Sequence, residues 1–190
     1  MNHPQHLLPK LRIERRQFKH VVRAVLHTIC FGRLLDRQDY SEFEVSGLGV
    51  RCCRVDDVQL ERHIEEQLDL LENHVRQSRD HLFTVTLAFF IESTEKGILS
   101  TRKVRHNWES WTLPVQVVHH QPMTRDELVG VLDHVQLVCM EHTSHIPSEV
   151  LDGASPFRCV VTFDRKRKKS GDGWLGSAAR FFASDAPPLG

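Results

Sequence analysis

RQFKHVVRAVLHTICFGR, Arg16 to Arg33, and WESWTLPVQVV, Trp108 to Val118, decide the fold between them. In the first, Phe18, Val22, Val25, Leu26 and Ile29 recur at helical spacing, so one face of a long helix needs a core to pack on. In the second, Trp111, Leu113, Val115 and Val117 point to the same side of a strand. Helix on strand is an α+β pairing, and the rest of the chain repeats it.

The first helix is expected from about Glu14 to Leu35, with Gly32 weakening its last turn. Residues 1–12 before it read as a loose arm, because Pro4 and Pro9 interrupt any regular start. After the helix, Phe43 and Val45 alternate with Glu44, Ser46-Gly47 makes a bend, and Leu48, Val50 and Cys52 resume the period of two. Asp56 with Gln59 suggests a capping box for a second helix whose apolar face is Leu60, Ile64, Leu68, Leu71 and Val75. Arg62, Glu65, Glu66 and Asp69 fill its solvent side.

Leu82 to Ile91 is the strongest strand. Phe83, Val85, Leu87, Phe89 and Ile91 share one face, and the other is also partly apolar, so the strand belongs at the centre of a covered sheet. Glu92 to Asn107 reads as polar and irregular. The strand from Trp111 to His119 returns antiparallel, with Pro114 marking an edge or a bulge. A third helix starts at the capping box Thr124/Glu127, with Met123 and Leu128 as the hydrophobic staple, and its stripe runs through Val131, Leu132, Val135 and Cys139 to an end at Pro147. A last strand carries Phe157, Cys159, Val161 and Phe163 on one face. The expectation is one domain of three long helices packed on one face of a mainly antiparallel sheet.

Composition narrows function by exclusion. Lysine plus arginine and aspartate plus glutamate each number 25 in 190 residues, for a net charge of zero. That balance does not support a nucleic-acid protein, which needs a basic excess to meet phosphates. The apolar runs are too short to span a bilayer, and no signal-peptide pattern opens the sequence. The five cysteines, Cys30, Cys52, Cys53, Cys139 and Cys159, lie mostly in apolar segments, as reduced thiols of a cytosolic protein do.

Sites with chemistry are few. The glycines match neither a dinucleotide fingerprint nor a phosphate loop, and no nucleophile stands beside a base, so the reading is noncatalytic and without cofactor. Cys139, His142 and His145 are spaced by three at a helix end, with His119-His120 elsewhere. They would converge on a metal only if the last turn unwound, and solvated or hydrogen-bonded histidines are the plainer account. The basic run Arg165, Lys166, Arg167, Lys168, Lys169 can meet acidic headgroups or RNA phosphates, or serve as a solvated turn that keeps an edge strand from pairing. Trp111 belongs to the core. Trp108 either packs across the sheet edge or reaches a partner, and Phe181 and Phe182 are a final core element or a docking segment ahead of a frayed end.

The Arg16–Arg33 helix with its AVLHT centre (Ala24–Thr28), FTVTLAFF at Phe83–Phe90, WESWTLPVQVV and the late FRCVVTF at Phe157–Phe163 together resemble the autophagy-related protein 101 (Atg101) family of HORMA-domain proteins. The resemblance implies a single HORMA domain over residues 13–183, between a flexible arm at 1–12 and a flexible tail at 184–190. It implies a noncatalytic scaffold or adaptor that binds and stabilises the HORMA domain of an Atg13-like partner as a heterodimer. That pair serves the Atg1/ULK-type kinase complex in autophagosome formation. The place implied is the cytoplasm and the preautophagosomal structure, or phagophore assembly site. The family partner is bound side by side through surfaces that include the first helix, which makes His27, Phe31 and Arg33 partner-facing or supporting residues here. Animal members carry a Trp-Pro-Phe finger in the loop before the WExWT strand. Here that stretch reads STEKGILSTRKVRHN, Ser93 to Asn107, with only Ile98 and Leu99 as an apolar tip, so recruitment through an aromatic finger is in doubt. Two other readings compete with the adaptor. One is a peptide-clamping HORMA protein of the Mad2 or Rev7 type, against which the 27 residues after Phe163 are short for a belt. The other is a metal-dependent enzyme at Cys139, His142 and His145.

Overall fold

A computed structural model describes residues 3–34, 39–78, 81–96, 101–151 and 158–165. Within them the strands are β1 (Gln5–Leu7), β2 (Leu11–Glu14), β3 (Tyr40–Val45), β4 (Val50–Val55), β5 (Leu82–Lys96), β6 (Thr101–Val118) and β7 (Arg158–Arg165). The helices are α1 (Phe18–Leu34), α2 (Val58–Gln77), α3 (Arg125–Glu141) and the short α4 (Ser148–Leu151). Strands β6, β5 and β7 are antiparallel neighbours, with β1 and β2 on the far side of β6, and β3–β4 form a separate hairpin. The architecture is α+β, with the helices and mainly antiparallel sheet expected of a HORMA-like fold.

Local signals explain most of this. The side chain of Thr124 accepts from the Glu127 amide while Glu127 reaches back to the Thr124 amide, so α3 begins at the expected capping box. Helix α2 is capped by Asp57, one residue beyond the expected Asp56, because its carboxylate reaches the amides of Gln59 and Leu60. All five positions read as its apolar face are buried. Its Glu65 and Asp69 do more than meet solvent. Lys19 of α1 pairs with both, and Arg23 pairs with Glu65, so these charges bridge the two helices. Pro147 opens α4 instead of only ending a helix, its carbonyl accepting from Val150 and Leu151.

The first helix is more enclosed than one apolar stripe requires. Ala24, His27, Thr28, Cys30 and Arg33 are buried along with the expected face. The reason is position. Helix α1 packs against α2 and α3, and β4 covers it from outside. Towards the sheet, Phe18 meets Phe83 edge-on at 6.3 Å, while towards the hairpin His27 meets Phe43 at 5.4 Å. At Gly32 α3 comes close to α1. A Cβ there would lie 2.7 Å from Cys139 Sγ and 2.9 Å from its Cβ, so the glycine that weakens the helix also lets two helices touch.

Three segments differ from their sequence readings. The expected loose arm, residues 1–12, is bound to the sheet from Gln5: β1 and β2 both run parallel to β6, and Leu8, Leu11 and Ile13 are core residues. The prolines interrupt the pairing without abolishing it. Leu8 to Lys10 stand opposite only Leu113 and Pro114, so one extra residue bulges in the interval that holds Pro9 and Pro114. Ser110 donates to the Pro4 carbonyl and Leu8 to the Thr112 carbonyl, so even-numbered groups of β6 face this side. Pro114 thus turns its missing N–H towards the interruption of an inner strand. Second, the stretch read as irregular, Glu92 to Asn107, is a ribbon in which Glu92 to Lys96 pair with Arg105 to Thr101. Arg105 lies over the Phe90 ring at 4.9 Å and pairs with Glu92, which also meets Arg158. Polar composition hid a regular ladder. Third, Trp108 does not reach for a partner. It is the extra residue of a bulge between the pairs Phe89–Glu109 and Phe90–Asn107, and it stacks on Phe89 at 5.2 Å.

Ile98 and Leu99, the basic residues Lys166, Arg167, Lys168 and Lys169, Phe157, Phe181 and Phe182, and the 184–190 tail lie outside the described residues. Arg165 closes β7 opposite Phe83. Among the described residues no helix is long and apolar enough to cross a membrane.

Gly32→Ala tests the contact of α1 with α3. Alanine gains about 1 kcal/mol in helix propensity, but overpacking a filled contact costs roughly 1–3 kcal/mol. The expected result in urea denaturation is a lower midpoint. A higher one would place α1 and α3 further apart.

Candidate functional site

Where α1, α3, β1 and β6 meet, the interior holds a carboxylate. Glu109 falls two residues before Trp111 on the face of β6 that also carries Leu113, Val115 and Val117, and the Trp108 bulge helps seat it there. It is fully buried. Arg33, in the last turn of α1, donates from Nη2 to Glu109 Oε1 at 2.5 Å and from Nη1 to the Cys139 carbonyl at 2.8 Å. Its guanidinium lies 5.2 Å from the centre of the Trp111 ring. On the other side His6 of β1 brings Nε2 to 2.6 Å from the same Oε1, and its ring lies 4.4 Å from that of Trp111. That contact is an ion pair only while the imidazole is protonated. Beyond it the rings of His142 and His145 follow at 4.8 Å and then 5.0 Å.

One ion pair therefore joins four elements. Burial holds the His6 pKa below its ordinary value, with His142 and Arg33 pushing the same way and Glu109 opposing. Cys139, buried beside the pair, has its thiol pushed up to about 11 by burial, so it stays protonated at neutral pH. Glu109 Oε2, Arg33 Nε and Trp111 Nε1 have no hydrogen-bond partner among the described residues. Such atoms in a polar interior are normally paired by trapped water.

Of the residues read as partner-facing or supporting, His27 and Arg33 are turned inward and present no side chain at the surface. Arg33 is held by Glu109, and His27 is closed in by Phe43, with Nδ1 unpartnered among the described residues. Phe31 is half-exposed, meets Tyr40 edge-on at 5.7 Å, and lines a shallow cleft of about 170 Å³ between α1, β4 and α3. Val50, Cys52, Leu132, Asp133 and Gln136 form much of the rest. That volume is below the range of roughly 300–1,000 Å³ usual for small-molecule pockets. Cys139 and His142 do not converge: the thiol lies against Gly32, while His142 stacks between His6 and His145. Among the described residues no group of three or more His, Cys, Asp or Glu side chains has the geometry to hold a metal. Ser93 Oγ and His106 Nε2 lie 3.0 Å apart, exposed on the ribbon, and neither lines the cleft.

Sequence reasoning missed Glu109 and His6. Glu109 had a usable signal, since a carboxylate that continues a strand's apolar face is buried and needs a cation. His6 had none, because its segment was read as loose.

Two measurements test these buried groups. Glu109→Leu strands the Arg33 charge, which should cost about 3–5 kcal/mol and lower melting by roughly 6–20 °C. Arg33→Leu/Glu109→Leu together should cost clearly less than the sum of the single changes. Additive losses would mean the two side chains do not depend on each other. His27 has its pKa lowered to about 4, chiefly by burial, with Arg23 next. A histidine whose folded pKa is depressed supplies stability above its unfolded value near 6.5 and loses it as pH falls towards 4. Between pH 7 and pH 5 that loss is about 2 kcal/mol. His27→Phe should flatten the stability profile by that amount across that interval. An unchanged slope would show that His27 is charged or exposed in the fold.

Comparison with known proteins agrees with this architecture. The family model for autophagy-related protein 101 matches residues 10–152, from just before β2 to just after α4. Autophagy-related protein 101 of Arabidopsis thaliana is 24% identical over 131 residues, which is 69% of this chain and 59% of the relative. The match therefore spans less than two thirds of that protein's length. From β2 through α4 the chain follows one family's pattern, and it belongs to the autophagy-related protein 101 family.

Proposed function

We propose that this chain is a noncatalytic adaptor of autophagy initiation. It binds the HORMA domain of an Atg13-like protein one-to-one and serves the Atg1/ULK-type kinase complex in the cytoplasm, at the phagophore assembly site. The observation that carries this reading is the family match over residues 10–152. The use made of the titratable groups supports it. Arg33, Glu109 and His6 are spent on joining elements to one another, and none is presented to a substrate.

The surface offered to the partner is the one left open beside α1. His27 and Arg33 shape it from within, and Phe31, exposed Tyr40 and the cleft walled by β4 and α3 form it. Aromatic side chains at a shallow cleft suit a protein partner, since large rings supply most of the energy at such interfaces. Zero net charge fits association through shape and apolar contact more than through long-range attraction. The basic run from Arg165 to Lys169 adds a peripheral contact with acidic membrane in the same reading.

Co-expression with the partner's HORMA domain and size exclusion should give a single 1:1 peak, and Tyr40→Ala should weaken it while leaving melting unchanged. Separate elution of the two domains at micromolar concentration would refute the proposal.

A further inference from the structure

We propose that Cys159 and Cys30 are a redox modification site: hydrogen peroxide reaching the open edge of the sheet converts the two thiols into a disulfide that joins β7 to α1. The inference goes beyond the adaptor reading and does not depend on it. It rests on where the register of the sheet and the turn of one helix bring two sulfurs.

Register places Cys159. It stands opposite Phe89, and Phe89 stands opposite Glu109, so Cys159, Phe89 and Glu109 form one row across β7, β5 and β6. Residues paired in this way project to the same side of a sheet. That side is the one α1 covers, since Phe83, on the same face of β5 as Phe89, meets Phe18. Helix α1 passes over the row with its last turns. Arg33 lies at Glu109, at one end of the row. Cys30 precedes it by three residues, which puts both on one side of the helix. The Cys30 thiol is turned to Cys159 within hydrogen-bonding contact, and this contact, followed by burial, pushes it well above its ordinary pKa. The third thiol of this region is taken up elsewhere, because the Cys139 sulfur lies against Gly32.

The two thiols differ in access. Cys30 is fully enclosed, so no oxidant approaches it from solvent. Cys159 is only half-buried, on the strand that ends the sheet among the described residues. That asymmetry sets the order of events. The Cys159 sulfur attacks one peroxide oxygen; the S–O bond forms, the O–O bond breaks, and the other oxygen leaves as water with the thiol proton. Cys159 is then a sulfenic acid. The Cys30 sulfur attacks it, the S–S bond forms as the S–O bond breaks, and a second water leaves with the Cys30 proton. Both sulfurs are oxidised, and the peroxide is reduced to water. A sulfenic acid held against a thiol in a packed interior has its partner at hand and little space for a second peroxide.

Peptide mapping under non-reducing conditions tests the pair, on the full chain oxidised with hydrogen peroxide in native buffer and quenched by alkylation. The Cys30 and Cys159 peptides should appear joined, lighter than their sum by the two hydrogens lost, and should separate on reduction. Cys139→Ala should form the same link. Cys30→Ala leaves Cys159 without its partner, so dimedone should trap the Cys159 sulfenic acid about fivefold more than in the wild type. Oxidised protein should also unfold at a higher urea concentration than reduced protein, because the bond closes a long loop in the unfolded chain without distorting the fold. Cys30 recovered as a free thiol beside an over-oxidised Cys159 would overturn the proposal. So would a link from Cys30 to Cys139, a link formed only in urea, equal dimedone labelling of wild type and Cys30→Ala, or a urea midpoint no higher once the bond has closed.

Discussion

A guanidinium and a carboxylate withdrawn from water have to find each other, and the place where Arg33 meets Glu109 fixes four segments of this chain at once. Arg33 ends the central helix, Glu109 sits behind the bulge of β6, the Cys139 carbonyl ends α3, and His6 belongs to β1. Buried pairs of this kind contribute little net stability, because the cost of stripping water from both charges nearly matches their attraction. What they penalise is misalignment. A slip of β6 by one residue would turn Glu109 to the far side of the sheet and leave Arg33 alone in the interior. The Trp108 bulge becomes intelligible on the same ground, since it sets the phase of β6 from Glu109 onward.

Much of the frame was legible, and the reason differs from element to element. Helices α2 and α3 announce themselves through a cap followed by a stripe, both local in sequence, so Asp57 and Thr124 lie at or beside their expected positions. The paired faces of β5 and β6 follow from a period of two. What escaped was long-range. Nothing within residues 5–14 says that they lie beside residues 110–118 in parallel, a contact that closes a loop of about a hundred residues, and Pro4 and Pro9 pointed the other way. The ribbon from Glu92 to Asn107 escaped for a different reason. Its ladder is carried by backbone bonds and cross-strand charges, such as Arg105 with Glu92, and not by an apolar face that periodicity could detect.

The site shows the same division. Arg33 and His27 come from the helix that the resemblance marks as partner-facing or supporting, and both side chains are buried, although a stripe of five apolar positions suggests a helix with one buried face. A helix enclosed by α2, α3, the sheet and the β3–β4 hairpin has almost no solvent side, so polar residues on it become interior groups that need partners. Arg33 has such a partner in Glu109. His27 stays neutral instead, which is the other way for a buried base to avoid an unpaired charge.

That enclosure also constrains how a first helix can take part in binding another protein. Helix α1 offers little side-chain surface of its own beyond Phe31, and the surface above it is built from Tyr40 of β3, the Val50–Cys53 stretch of β4 and the Leu132–Gln136 turn of α3. A partner that reads this face therefore reads the relative placement of three elements, and that placement is set from beneath by Gly32 against Cys139 and by Arg33 against the Cys139 carbonyl. Changes at buried positions can then alter recognition without touching the partner, by shifting α3 over α1. Packed interiors pass such shifts on because they leave no void to absorb them.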